Sequence, residues 1–386
     1  MPLGMVDDII AFSQCGHKAV ELNAFITTQC EIKKLRFHVP DEKGKTKCHQ
    51  IHVGKDSVLC PTLKIHGYNM EKVSDDKYLG DILSADGKNS ANLKDRIGKG
   101  LGIISEIMSI LDSISFGFQY FRIFNLLRES MFINGILTNT EVWYGVGKTE
   151  FGELEELDRM LIRRALKCQV STPKESYYLE LGLLPIQHII KARRINYLHY
   201  ILTSDENAML YKFFKAQYES PVKEDWTEQV RKDLKELNMT EDVSLLKTMS
   251  EIKLKTLVKK KIKEHVLECL NEEKLEHSKM ENLVYTELKT QDYLLSEDLT
   301  TVQKRLIFLF RTRMADYSEN FRGTNFPSPC KICGMHVDSQ SHSVICFETI
   351  KNVKTLGNYN EIFLNNISRE TAIMLEEITE IRKNKI

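Results

Sequence analysis

The chain lacks an excess of either charge. Its 386 residues hold 54 Lys and Arg against 54 Asp and Glu, so overall charge neither favours nor excludes a polyanionic partner. Any argument about nucleic acid rests on local runs. It also lacks a long apolar run: none approaches the ~18 to 20 uncharged residues of a membrane span, so no membrane association is expected. Met1 to Asp8 show no basic stretch leading into an apolar one, so no secretory signal is expected. There is no internal repeat and no low-complexity segment. The nine cysteines form no framework, and only Cys330 and Cys333 are closely paired. That pattern points to a reducing, intracellular compartment, nucleus or cytoplasm, and to one metal site instead of disulfides.

What is present suits a globular chain of two or three domains, with 42% hydrophobic and 28% charged residues. Residues 1–90 read as the β-containing part. Within it the spacing predicts a helix over 16–31, with Ala19, Leu22, Phe25 and Ile26 on one face, and strands over 35–39 and 50–53 separated by a charged loop at 41–45. Lys77 to Asn89 reads as a hairpin: Tyr78, Ile82 and Leu83 suit strands, and Asp86-Gly87 suits the closing turn. From about 91 the apolar period becomes helical. Ile97, Leu101, Ile104, Met108 and Leu111 mark one face, then Phe121, Phe124, Leu127 and Met131, then Phe151, Leu154, Leu157 and Leu161. Thr172, Pro173 and Glu175 read as a cap, a first-turn proline and a capping-box partner. Gly182 and Pro185 separate that short helix from one running to about Leu202. Residues 205–325 are helical and more charged, interrupted at Pro221 and at 238–240.

Three kinds of feature carry chemistry. Asp7 and Asp8 are adjacent carboxylates of the type that holds divalent ions for phosphoryl transfer; a solvated turn carries the same pair. Cys330-Lys331-Ile332-Cys333, Gly334, His342 and Cys346 give the spacing C-x2-C-x8-H-x3-C, four N/S donors suited to a closed structural zinc site. His342 and Cys346, four apart, share a helical face; His336 is a rival third ligand that crowds the turn. Basic residues gather at Lys191, Arg193 and Arg194, at Lys253 to Lys263 around the apolar stripe Leu254, Leu257, Val258 and Ile262, and at Arg305, Arg311 and Arg313 beside Phe308, Phe310 and Tyr317. Each basic run suits phosphate contacts and equally a solvated helix face. Aromatics spaced three and four in 116–132 read as core. Two further motifs carry nothing. Cys15-Gly16-His17 has no assignable orienting acid, and Gly98-Lys99-Gly100-Leu101-Gly102 lies inside a helical pattern, where a phosphate loop would follow a strand.

Taken in order, Val6-Asp7-Asp8, Tyr78-Leu79-Gly80, Glu141-Val142-Trp143-Tyr144-Gly145, Ser171-Thr172-Pro173-Lys174-Glu175 and the Cys/His ligands resemble the C-terminal part of a non-LTR (LINE-like) retrotransposon reverse transcriptase. The resemblance covers about residues 3–350. It implies an α+β, predominantly α-helical fold: a small β palm remnant at 1–90, a helical thumb at 91–204, a helical linker at 205–325, a CCHC zinc knuckle at 326–350 and a C-terminal tail at 351–386. It matches Asp7 and Asp8 to the catalytic aspartate box and Tyr78, Leu79 and Gly80 to the primer grip. In the family the partner carboxylate lies on a strand far upstream of the aspartate box. With six residues before Asp7, these aspartates are expected to be a relic, and Mg2+ is expected only where an intact polymerase site exists. No nuclease signature follows Cys346.

The implied function is a truncated RNA-directed DNA polymerase that binds RNA or DNA and does not polymerise alone. Its nucleic-acid contacts would be Tyr78, Leu79, Gly80, Lys191, Arg193, Arg194, Lys259, Lys260, Lys261, Lys263, Arg311 and Arg313, and its structural Zn2+ would sit on Cys330, Cys333, His342 and Cys346. The competing expectation is a non-enzymatic helical module whose zinc knuckle binds protein.

Overall fold

A computed structural model describes residues 2–5, 8–35, 37, 48–53, 61–87, 89–114, 119–220, 225–276, 278–321, 328–364 and 367–384. The chain divides into two units: Met1–Arg96 with Gly145–Glu150, and Ile97–Tyr144 with Phe151–Ile386. The expected boundary near 90 lies close to this division, whereas residues 97–144, 151–204, 205–325, the knuckle and the tail all belong to the second unit. The described chain is predominantly α-helical with a small β content.

The first unit holds all the named strands. They form four separate two-stranded pairs and no continuous sheet. β1 (Pro2–Met5) pairs antiparallel with β2 (Asp8–Ala11). The helix expected at 16–31 is α1 (Gly16–Ile32), but its apolar face is poorly covered: Cys30 is buried and Phe25 is exposed. The strand expected over 35–39 falls outside the described residues except for Leu35 and Phe37, which are not in a strand, and the loop at 41–45 lies wholly outside them. β3 (His49–Gln50) pairs parallel with β6 (Glu71–Lys72), and β4 (Lys64–Ile65) pairs with β5 (Tyr68–Asn69).

The hairpin is β7 (Asp75–Tyr78) with β8 (Asp81–Ser84). Its turn is Leu79-Gly80, at φ 48° and 91°, and not Asp86-Gly87. Two positive φ values in a two-residue loop match the right-handed strand twist, which is why such loops usually carry Gly, Asn or Asp; Leu79 hid the turn from a composition-based reading. Asp86-Gly87 instead turns the chain after β8, with Gly87 N–H donating to Ser84 O at 3.1 Å. The hairpin is held by α2 (Ser90–Ser113). Asn92 exchanges hydrogen bonds with the Ile82 backbone at 2.9 and 3.3 Å, and buried Arg96 donates to Gly80 O at 3.3 Å and Asp81 Oδ1 at 2.8 Å.

The second unit has an apolar helical core. α2 buries Ile104, Ile107 and Leu111, while Leu101, expected on that face, is 47% exposed. Gly100 takes the inward place. A Cβ there would lie 3.1 Å from Leu157 Cδ1 and 3.4 Å from Ile136 Cγ2, so the missing side chain permits close helix packing. α3 (Tyr120–Leu127) passes through a π turn, Arg128–Ile133, into α4 (Asn134–Ile136). Arg128 and Phe132 are buried where Leu127 and Met131 were expected; with Phe121 and Phe124 they are spaced three, four and four along one face. Arg128 meets Asp158 of α5 (Lys148–Leu166) in a two-pronged pair at 2.7 and 2.6 Å, both side chains being buried.

α6 (Lys174–Leu181) starts one residue later than the capping reading placed it. Pro173 is its cap and no side chain caps it. Gly182 ends it at φ 65°, followed by α7 (Ile186–Thr203), α8 (Met209–Glu219), α9 (Trp226–Glu236), α10 (Val243–Thr248) and α11 (Glu251–Leu275). Leu254, Val258, Ile262, Val266 and Leu270 make the buried stripe of α11. After α12 (Asp292–Leu295), a capping box of Thr300 and Gln303 opens α13 (Thr301–Arg311). α14 (Gln340–Ile345), α15 (Phe347–Asn352) and α16 (Arg369–Asn384) complete the unit. α16 packs on α13, so the segment expected as a tail is part of the core. No described helix is long and apolar enough to cross a membrane.

Candidate metal centre

Cys330, Cys333, His342 and Cys346 converge, with one donor atom from each lying within 4.8 Å of the others. The edge of a zinc–thiolate tetrahedron is about 3.8 Å, from Zn–S bonds of about 2.3 Å, so the quartet is close to one coordination sphere. Among the described residues it is the one such group of three or more donors.

Local geometry explains the convergence. Gly334, at φ 72°, turns the chain after Cys333, and its N–H donates to Cys330 O at 2.8 Å. Cys330 N–H donates to His336 O at 2.6 Å, and a bridge joins Pro329 to Val337. Ile332 N–H points at Cys330 Sγ at 3.4 Å, a donor that favours thiolate. Ser339 caps α14 through His342 N–H at 3.0 Å, which places His342 in the first turn. Cys346 sits at the junction of α14 and α15. His342 Nε2 lies 3.4 Å from Cys333 Sγ. His336 is outside the quartet; its ring lies against that of His342, with centroids 4.7 Å apart.

The thiols differ. Backbone N–H groups of Met335 and His336 draw Cys333 down to about 6, while burial pushes Cys330 up. Cys333 is therefore largely thiolate at neutral pH, and a soft divalent ion is the kind of ligand that ionises the rest. Four soft donors fit a metal ion such as zinc and leave no protein position open.

The supporting shell was not legible in sequence. Ile381 of α16 packs on the small core of Cys330, Ile332 and Cys346. Buried Asp338 pairs with Arg382 of α16 and accepts Ser318 N–H at 3.0 Å. Burial works against that charge, but the Arg382 and Ser318 donors hold the Asp338 carboxyl below its usual range. Arg382 also lies 3.9 Å from the Tyr317 ring centroid, and Tyr317 OH donates to Ser343 Oγ at 3.0 Å. Gln340 donates to Phe310 O at 2.9 Å. α13 and α16 thus both hold the knuckle.

Several of the expected nucleic-acid residues are already committed to partners within the second unit. Arg194 is buried, paired with Asp233 and donating to Trp143 O at 3.0 Å. Arg311 is buried, donating to Glu180 Oε1 at 2.9 Å and to the carbonyls of Ile362 and Leu364. Arg305 is buried against Tyr120 and Ala165 O, and Phe308, Phe310 and Tyr317 are core. These three arginines are buried in the packing of the second unit and do not face solvent. Lys191 pairs with Glu236, and Arg193 donates to Leu137 O and, at 2.8 Å, to Asn134 Oδ1. Arg313 faces Glu281 at 3.6 Å. On α11, Lys259 and Lys260 are exposed, Lys261 and Lys263 partly so, with Glu264 3.7 Å from Lys260 and 3.8 Å from Lys261. Tyr78, Leu79 and Gly80 form the hairpin end in the first unit. Asp7 lies outside the described residues; Asp8 opens β2, and its side chain lies outside them too.

Comparisons with protein-family models, with curated proteins and with solved structures return no match.

Proposed function

We propose that the chain is a nucleic-acid-binding helical module built around a structural zinc knuckle, related to the C-terminal part of a non-LTR reverse transcriptase and without polymerase activity of its own. The observation that carries this reading is the closed Cys330/Cys333/His342/Cys346 quartet, seated on a helical unit that follows a Tyr-Leu-Gly hairpin in the chain. A closed quartet shapes a surface and offers no catalytic position. The phosphate-facing surface narrows to Lys259, Lys260, Lys261 and Lys263, which lie off the buried stripe of α11. Outward lysines attract phosphate without reading bases, so binding is weak, sequence-independent and salt-sensitive. Two-metal phosphoryl transfer draws carboxylates from more than one strand, whereas Asp7 and Asp8 are adjacent in the chain.

The test is binding of a structured RNA across a salt series. Replacing the four lysines with Gln should weaken binding and reduce the log–log salt slope by about one unit for each phosphate no longer neutralised. Primer extension with magnesium or manganese should be absent. No binding at low salt, or a quadruple variant that keeps both affinity and slope, overturns the nucleic-acid reading.

One observation favours a second reading, a protein-binding knuckle. Met335, Ile345, Phe347 and Ile350 are exposed around the quartet, and exposed apolar side chains at one place mark interaction surfaces. Substituting Phe347 and Ile350 with Ser would then abolish partner capture while leaving RNA binding unchanged.

A further inference from the structure

α11 is divided by charge. Its residues 251–263 carry six lysines and one glutamate, and its residues 264–275 four glutamates and one lysine, the buried Lys274. The buried positions recur every four residues, from Leu254 through Val258, Ile262, Val266 and Leu270 to Lys274. A residue two places from such a stripe stands about 200° round the helix. Lys260, Glu264, Glu268 and Glu272 therefore form an outward ridge, and all four are exposed. Lys255, Lys259 and Lys263 run beside it, the first two exposed and Lys263 half-buried. Among the described residues, Lys259, Lys263, Glu268 and Glu272 have no ion-pair partner, whereas Lys260 and Lys261 share Glu264. The segregation does little for the helix itself. Lys260 to Glu264 runs in the weaker order, lysine first, and Glu272 and Glu273 lie in the last turn, where the helix dipole disfavours anions.

We propose that this ridge is a self-complementary surface on which a second copy of the chain docks, α11 against α11 and antiparallel. The charge register carries the argument. A two-fold axis between Lys263 and Glu264 sets Lys263 against the partner's Glu264, Lys259 against the partner's Glu268 and Lys255 against the partner's Glu272. Each pair occurs twice, as an isologous contact requires. Along the ridge in this register no two like charges are opposed. Ile252 and Leu275, 79% and 80% exposed, fall opposite each other. Exposed ion pairs are individually weak and screened by salt, so the dimer is weak and dissociates as salt rises. It covers lysines put forward above for phosphate, so dimerisation and nucleic acid compete, but the inference does not rest on the nucleic-acid reading.

Sedimentation equilibrium of the full chain, without RNA, tests it. At low salt the average mass should climb from monomer toward dimer as concentration rises into the hundreds of micromolar, and salt of about 0.5 M, where the screening length is only a few ångströms, should return it to monomer. Lys259→Glu/Lys263→Glu and Glu264→Lys/Glu268→Lys should each stay monomeric, because like charges then meet across the axis. An equimolar mixture of the two variants should pair again as a heterodimer, which also shows that both are folded. A wild-type chain that stays monomeric throughout overturns the proposal. So does a dimer retained by either variant, or a mixture that fails to pair. Because no RNA is present, these failures leave the nucleic-acid reading to its own salt series.

Discussion

Asp338 and Arg382 lie 44 residues apart and form a buried pair, with Nη2 3.1 Å from Oδ2. Through it the last helix holds the loop that carries the metal quartet. Removing one partner of a buried pair strands the other charge, at a cost of about 3–5 kcal/mol. Arg382→Met should destabilise the second unit by that amount in urea melts and speed chelator-driven metal loss about tenfold or more, as expected when support of a metal site is lost. A variant that melts with wild type would show that α16 does not hold the knuckle.

Removal of the knuckle ion should unfold the loop and spare the helical core. The quartet's own buried core is Cys330, Ile332 and Cys346, too small to order the segment unaided, and metal binding supplies folding energy in such segments. Hydrogen exchange over 328–350 should accelerate at least about a hundredfold on chelation or in Cys346→Ser, with α5 and α7 unchanged. Protection that persists without metal would refute a structural role.

Gly182→Ala should be among the most damaging single-methyl changes in the chain. At φ 65° an added Cβ would sit 2.2 Å from the Lys289 carbonyl carbon and 2.4 Å from Thr290 N. Those are backbone atoms of a segment tied to α6 by the Leu181–Thr290 bridge and by Gln291 N–H to Glu180 O at 2.9 Å. Left-handed strain and overpacking together predict a loss of about 3 kcal/mol or more. A denaturation midpoint within error of wild type would contradict this.

Lys304 predicts a pH signature. It is wholly buried, and burial draws its ammonium down to about 8, with Glu297 opposing. Between about pH 8 and 10.5 the unfolded chain therefore holds more protons than the native one, and native stability rises with pH across that window. Below it, keeping the buried group charged costs on the order of 3 kcal/mol. Lys304→Met should melt higher than wild type at pH 7, and the gap should narrow toward pH 10. A gap that is constant or widens with pH would exclude a buried, strained ammonium.

Sequence alone determined what depends on neighbours along the chain. Helical periods gave the predominantly α architecture, and the α11 stripe appears nearly as its spacing implied, with Leu254, Val258 and Ile262 buried. The knuckle ligands fall within seventeen residues, so the short loop, Gly334 and one helical turn suffice to gather them, and His342 was separable from His336 on spacing. The finer elements escaped because local chemistry underdetermined them: Leu79 occupies a turn position that favours Gly, and both Leu127 and Arg128 lie at helical spacing from Phe124, so spacing alone did not choose between them.

Only the tertiary structure decided the fate of the charges. Arg194 finds Asp233 and Arg311 finds Glu180, partners 39 and 131 residues away. A guanidinium in a basic run looks the same in sequence whether it meets solvent or a buried carboxylate, because its burial is set by which helices pack together.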